Sequence, residues 1–438
     1  MNKINRRCFV KGLGVAVMGL GFSGSLTGAL SACTNTGNGA GSSLDENSSV
    51  NGNGAAGAKI DFSNWDAVVK AAMGTTVIHA GYSGDNSLNE WIVGPLTKTM
   101  KDKYDITVKY AKDLDTTTLL ADENAAGVAE DGGTFDTAWV NGMTFRAPQL
   151  QDQWFGPITD KLPNFNTYID KSDPLVTKDF TISNHGYEAP FSRAQIVFIN
   201  DSARTPEMPR NPDEFLSFCK KYPGTVTYPV ANFWLGAAFI RTIIYNMLGW
   251  EQFQTIEAHY DVIKKEIDPV LEYLRELNPY LWKQGTTFPA DHAALEAMFL
   301  SGEGNFVVTY GQNDCGIGIK KGFYPKTAQS YIFDGGTCAN MSYWAVAYNA
   351  PNKPGALVLI NEMLSPELQL EKAIVGEGYV TDLTKVSPAL KTQFESIDLG
   401  PNNVSSASLL AHALPEFSAD IEAIVANIWK REVLGKTN

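Results

Sequence analysis

Residues 75–140 switch repeatedly between two side-chain periods, and this constrains the fold more than any other feature. Thr75-Thr76-Val77-Ile78-His79 is a β-branched run of strand type. Ser87-Leu88-Asn89-Glu90 has the form of a capping box, and Leu88, Trp91, Ile92, Leu96 and Met100 keep helical spacing behind it. Ile106, Val108 and Tyr110 alternate as a second strand. A helical stretch near 115–130 follows, and Asp136-Thr137-Ala138-Trp139-Val140 reads as a third strand. Strand, helix, strand, helix, strand in so short a stretch predicts a parallel sheet with right-handed crossovers.

A second block of the same kind begins near residue 196. Gln195-Ile196-Val197-Phe198-Ile199-Asn200 reads as a strand. Asn211-Pro212-Asp213-Glu214 reads as a helix start, with Asn as cap and Pro in the first turn. That helix stops at Pro223-Gly224, and Thr225-Val226-Thr227-Tyr228 reads as the next strand. Helices are expected at about 233–248, 255–277 and 290–300, with strands at Asn305–Tyr310 and Tyr343–Asn349 and helical patterns beyond. The fold class expected is therefore α/β. No GxGxxG, GKS/T loop, GxSxG elbow or HExxH motif is present, so nucleotide and common hydrolase signatures are missing.

The chain has 438 residues, with 48 acidic and 35 basic side chains and a formal charge of −13. A field of that sign repels phosphate backbones, which argues against nucleic acid as a partner. The charge is uneven. Residues 1–32 carry Lys3, Arg6, Arg7 and Lys11 and no acid, so the remainder holds 31 bases against 48 acids. Such a basic head is read as a targeting segment before any fold is considered.

Asn5-Arg6-Arg7-Cys8-Phe9-Val10-Lys11 resembles a twin-arginine export signal, with Asn where Ser or Thr is usual. The run 12–32 holds six glycines and little bulk. A spanning helix needs about twenty strongly apolar residues, so this run suits the apolar part of a signal peptide better than an anchor. Leu30-Ser31-Ala32-Cys33 resembles a bacterial lipobox, which implies a diacylglycerol on the Cys33 thiol. Residues 34–58 are rich in Gly, Asn, Ser and Ala without any apolar period. They read as a flexible tether reaching roughly 25–30 Å. The expected location is the outer face of the cytoplasmic membrane, held by lipid on an exported body.

Of five cysteines, Cys8 leaves with the signal and Cys33 takes the lipid, so Cys219, Cys315 and Cys338 remain. Three is odd, and Cys315 and Cys338 are left either as a bonded pair or as free buried thiols. The five histidines are scattered and no CxxC occurs, so neither a metal nor a cofactor is expected.

Further segments resemble the extracellular solute-binding proteins of ABC importers. They are Ser301-Gly302-Glu303-Gly304, Tyr343-Trp344-Ala345-Val346-Ala347-Tyr348-Asn349-Ala350, Pro351-Asn352-Lys353-Pro354-Gly355-Ala356 and Leu364-Ser365-Pro366-Glu367-Leu368-Gln369. In the last, Ser365 caps, Pro366 fits the first turn and Glu367 favours the positive helix end. Trp139-Val140-Asn141-Gly142, Glu188-Ala189-Pro190-Phe191, Ala194-Gln195 and Pro223–Pro229 resemble an uncharacterised branch of that family, sometimes proposed to carry thiamine-like compounds. That branch tends to have Trp near Tyr82 and Phe191, and here the chain differs.

The resemblance implies a two-lobe periplasmic-binding-protein fold of type II, with two parallel-type sheets, flanking helices and hinge crossings. On this chain lobe one would be 59–193 plus 348–385. Lobe two would be 197–342 plus 386–438, with crossings at Ser192–Ile196 and Tyr343–Ala347. The implied function is capture of a small solute for delivery to an ABC permease and its ATPase, by a monomer without covalent chemistry. A lipid-anchored hydrolase using a carboxylate pair is the alternative; it leaves the two-block pattern with a late return unexplained.

In open parallel sheets, ligands bind beyond the carboxyl ends of strands. That rule nominates Tyr82, Ser83, Asp85 and Asn86 after the first strand, where Gly81 and Gly84 permit a tight turn. Asp85 either meets ligand or only caps the helix that follows. The rule also nominates Trp139 and Asn141 at the third strand, Trp234 in lobe two, and Tyr310 and Asn313 after Asn305–Tyr310. Phe191 and Trp344 lie at the crossings, where a hinge would line the pocket floor. The tryptophans could equally be packed core. Rings at these positions would suit a planar or cationic solute, with Asp85 or Asp314 as counter-charge. An oxyanion on the helix amides near Ser83–Ser87 is the other ligand class.

Overall fold

The computed structural model describes residues 60–435, apart from 83–85 and 113; nothing is described of the Asn86 side chain. The export motif, Cys33 and the tether lie outside the described residues.

Strand β1 (Thr76–Gly81) lies between β2 (Thr107–Lys112) and β3 (Thr137–Val140), parallel to both. The helices between them run Asn86–Trp91, Thr97–Tyr104 and Thr116–Ala125, as the alternating periods require. Ser87 sits inside its helix rather than capping it, and a π-helical turn over Ile92–Leu96 absorbs Pro95. The short strands β4 (Trp154–Phe155), β5 (Lys178–Asp179) and β6 (Ile182–Ser183) follow, the last two as a hairpin tipped by Phe180 and Thr181. Then β7 (Glu188–Gln195) runs almost directly into β8 (Val197–Asp201). Beyond these come β9 (Val307–Thr309), β10 (Ala328–Tyr331), β11 (Thr337–Ala347) and β12 (Ala413–Leu414).

The first sheet has the order β12-β11-β3-β1-β2, with β7 and β4 also paired to β11. The second is β10-β8-β9, and both of its pairings are antiparallel. The expected parallel arrangement therefore holds for β1–β2, β1–β3 and β11–β12 of the first sheet, where β11 runs antiparallel to β3, β4 and β7, and for no pairing of the second among the described residues. In the second sheet, β8 enters straight from β7 and occupies the centre, so the strands returning from helices run against it.

Two apolar cores form on these sheets. One gathers Val77, Trp91, Val140, Phe191, Trp344 and Leu359 among others. The second gathers Phe198, Phe215, Tyr228, Phe239, Phe306 and Trp429 among others. Strand β11 contributes Cys338 to the second core and Met341–Ala347 to the first. The C-terminal helix Ala419–Glu432 joins the second core through Ile421, Val425 and Ile428. The helix Pro388–Glu395 packs through Phe394 on Leu370 and Ala373 of the helix Pro366–Ile374.

Some expected elements differ. Residues 225–228 form no strand; they make isolated backbone bonds, Asn305 N–H to Thr225 O at 2.7 Å and Trp282 N–H to Val226 O at 2.8 Å. The single helix expected over 255–277 is two, Tyr260–Glu266 and Asp268–Leu277, because Pro269 in the first turn of the second cannot donate back to the first. Strand β11 starts six residues before Tyr343, since the crossing pairs with β7 as well as β3. Cys219, Cys315 and Cys338 are all free and buried.

Candidate functional site

A cavity of ≈ 400 Å³ is lined by residues of both cores. Its first wall is built at the carboxyl ends of β1 and β3. A Cβ on Gly81 would lie 2.0 Å from the Tyr110 ring, so only glycine lets that ring cover the strand end. The Tyr110 hydroxyl is 2.9 Å from the Tyr82 carbonyl oxygen and fixes the turn. The Tyr82 ring stacks on Trp139 at 5.1 Å between centroids. Asn141 donates from Nδ2 to the Met341 carbonyl at 2.8 Å, which ties the end of β3 to β11. Gly142 follows with φ +55°, and its N–H donates to Asp179 at 2.6 Å. That bond brings the hairpin tip up to the site, so Phe180 lines the cavity too.

The opposite wall comes from the second core. Trp234 begins the helix Trp234–Leu248, is 41% exposed, and lies 5.6 Å from the Tyr310 ring. Tyr310 donates its hydroxyl proton to Glu416 Oε1 at 2.5 Å. Arg241, two turns further along the same helix face, is almost fully buried. It contacts Glu416, Glu422 and the Tyr310 hydroxyl through its terminal nitrogens, and Cys338 Sγ through Nε at 3.2 Å. Burial pushes the Glu416 carboxyl up to about 7, with Arg241 pulling the other way. Burial opposes the Arg241 charge, and the surrounding carboxylates more than offset this and hold its pKa above the ordinary value.

The floor is the β7–β11 crossing. Ser192, Arg193, Asn340 and Ser342 line it, with Gly376–Gly378 beside them. Arg193 is paired with Asp173. Phe191 lines the cavity, and the buried Lys372 ammonium group lies 4.0 Å from its centroid and donates to the Phe191 carbonyl. Burial pushes Lys372 down to about 7. Among the lining residues, two guanidiniums meet three carboxylates, those of Asp314, Glu377 and Glu422, so the formal balance is acidic. A second cavity of ≈ 510 Å³ shares Asn141, Phe180, Trp234 and Glu422 with the first. It continues between Met143 and the alanines of the C-terminal helix.

Six of the residues expected at the site line the first cavity: Tyr82, Trp139, Asn141, Phe191, Trp234 and Tyr310. Ser83 and Asp85 lie outside the described residues, and Asn86 is placed only as the first residue of its helix. Asn313 does not line the cavity; it is buried and donates to the Gly376 carbonyl at 3.0 Å, bracing the rim. Trp344 is not on the floor. It pairs with Trp139 in register but is fully buried, between His79 at 3.7 Å and Phe191 at 5.1 Å. The reason is that Phe191 covers it from the crossing strand. Phe180, Arg193, Arg241 and Glu422 were not expected at the site. A hairpin tip, a mid-helix arginine and a glutamate near the C-terminus carry no local signal; only packing brings them here.

Among the described residues no group of three His, Cys, Asp or Glu side chains is placed to hold a metal ion. Nor is any described helix long and apolar enough to cross a membrane.

Residues 96–396 match the family model described as bacterial extracellular solute-binding protein. Protein YnjB of Escherichia coli (strain K12) is 32% identical over 348 residues, covering 76% of this chain and 87% of that protein. Among solved structures, the spermidine/putrescine ABC transporter substrate-binding protein PotD of Streptococcus pneumoniae aligns with TM-score 0.56 at 12% identity, covering 82% of this chain and 99% of PotD. The apo ferric ion-binding protein A of Pasteurella haemolytica gives 0.55 at 14%, covering 83% and 99%. The periplasmic binding protein AfuA of Actinobacillus pleuropneumoniae, with fructose-6-phosphate bound, gives 0.53 at 13%, covering 82% and 98%. At such identities these three speak for the two-lobe fold alone. All of these structural neighbours are binding proteins rather than enzymes.

Proposed function

The chain belongs to the bacterial extracellular solute-binding proteins, and from that premise we propose that it captures an organic cation or heteroaromatic solute, thiamine-like in character, between its two lobes. The observation that carries this reading is the pair of aromatic walls on one ≈ 400 Å³ cavity: Tyr82–Trp139 from the first lobe and Trp234–Tyr310 from the second. That volume suits a molecule of one or two rings. Stacking favours flat rings, and a cation over each aromatic face adds about 0.5–2 kcal/mol. The acidic balance of the lining supports a positive charge over an oxyanion.

Closure is a hinge motion about the β7–β8 junction and β11, which few backbone angles need to follow. Tight solutes are those that prefer the closed arrangement. The loaded protein then docks on a membrane permease driven by a cytoplasmic ATPase. The Arg6-Arg7 and Leu30–Cys33 motifs support export and a lipid anchor at Cys33. Nothing at the site supports the hydrolase alternative.

The test is isothermal calorimetry with thiamine and other organic cations, alongside mass spectrometry of molecules retained on mild purification and a turnover assay. One-to-one binding without turnover is expected. Recovery of sulfate or molybdate would overturn the cationic reading, and turnover without stoichiometric binding would overturn the carrier reading.

A further inference from the structure

Arg241 sits where an anion-binding arginine would sit, on the cavity wall, yet it is not available to a ligand. It is 1% exposed, and each of its three guanidinium nitrogens already has a partner in Glu416, Glu422, Tyr310 or Cys338. Two carboxylates thus share one guanidinium. They differ in access. Glu416 is 3% exposed and takes the Tyr310 hydroxyl on Oε1, whereas Glu422 is 22% exposed and lines both cavities where they meet. Of the two carboxylates on Arg241, Glu422 is therefore the one open to a solute.

We propose that Glu422 is the counter-ion of the solute: a positively charged nitrogen of the bound molecule rests against its carboxylate, beside the rings of Tyr310 and Trp234. This assignment rests on the cationic reading of the cleft. The alternatives on the same lining are less suited. Asp314 Oδ2 accepts from the Thr309 hydroxyl at 2.7 Å, and Glu377 lies in the field of Lys372. Glu422 is also the only one of the three shared by both cavities, so a positive group held there leaves room on either side for the rest of the solute.

The cluster adds a second readout. The groups facing Glu416 are Arg241 on its helix, Tyr310 after β9, Cys338 and Asn340 on β11, Glu422 on the C-terminal helix, Tyr245, and Asp179 from the β5–β6 hairpin. Glu416 holds its proton part of the time near pH 7. A cation arriving at Glu422 favours its ionised form, so binding releases a proton and affinity rises with pH through about 7.

The experiment measures calorimetric affinity for thiamine and N-methylnicotinamide, with nicotinamide as the uncharged counterpart of the latter, on wild type, Glu422→Gln, Glu422→Asp and Ala423→Lys. Gln keeps a hydrogen bond to Arg241 and removes only the charge. Glu422→Gln is expected to weaken both cations by about tenfold or more, to leave nicotinamide unchanged, and to abolish the rise with pH; Glu422→Asp restores part of the loss. Ala423 is exposed on the second cavity, so Ala423→Lys tests the same charge without disturbing Arg241, and it is expected to weaken the cations alone. Cation affinity unchanged in Ala423→Lys or in a folded Glu422→Gln, with wild type binding thiamine, overturns this assignment and leaves the cationic reading standing. Wild type that binds sulfate and no organic cation overturns both.

Discussion

Buried carboxyl groups stand behind both walls of the cleft, and the two lobes treat them differently. In lobe one, Asp179 and Glu188 are buried and, among the described residues, no arginine is paired with either. Burial raises both, Asp179 to about 8 and Glu188 well above its usual range, with the Asp179 carboxyl adding to the rise at Glu188, so the protonated forms are favoured. In lobe two, Glu416 is equally buried and burial raises it too, but it shares Arg241 with Glu422, which limits the rise to about 7. The arginine on the lobe-one side, Arg193, pairs with Asp173 at the floor where both remain 21–28% exposed. One wall therefore sets its rings with neutral contacts, and the other sets Tyr310 with a buried ionic cluster. The lesson is that the electrical character of the cleft comes from lobe two.

The largest test of this contrast is removal of each arginine. Arg241→Met strands Glu416 in the core and is expected to cost about 3–5 kcal/mol. Arg193→Met breaks a half-screened pair and is expected to cost about 1 kcal/mol or less. Urea unfolding of the two variants compares them, and equal losses would erase the distinction drawn between the walls.

Next comes pH. The folded-state value of Asp179 lies above its unfolded value near 4, so its contribution to stability is whole below about pH 4 and is lost as pH rises through about 8. One such proton gives a slope of at most about 1.4 kcal/mol per pH unit. Asp179→Asn keeps an acceptor for Gly142 and should flatten this decline in a pH series of unfolding midpoints. A decline of the same steepness in the variant would assign it to Glu188 instead.

The smallest effect separates binding from stability. Trp234→Ala and Trp139→Ala each remove one ring of a pair, worth about 0.5–2 kcal/mol of cation affinity. Trp234 is 41% exposed, so its loss should leave the melting temperature nearly unchanged; Trp139 packs on the first core and its loss should lower it. Matching shifts in both would show the walls to be mechanically alike.

Lobe one's wall was legible because a local rule reaches it. Strand period and turn glycines locate the carboxyl ends of β1 and β3, and Tyr82, Trp139 and Asn141 follow from position alone. Trp344 misled because position at a crossing says nothing about which neighbour covers it; Phe191 from β7 does. The Thr225–Tyr228 run was misread for a related reason, since strand-like residues make a strand only where a partner edge is open. Likewise, Arg241 and Glu422 are 181 residues apart, and no spacing rule connects them.

What the sequence determined by itself was the alternation of elements, the strand ends that face the cleft, and the basic head with its small residues before Cys33. These follow from short-range sterics and periodicity, which act within a few residues. The packing of the C-terminal helix against the helix Trp234–Leu248 decided which carboxylate reaches the solute and which ring is hidden. Charge pairing and burial depend on distances between segments far apart in the chain, and only the folded body sets them.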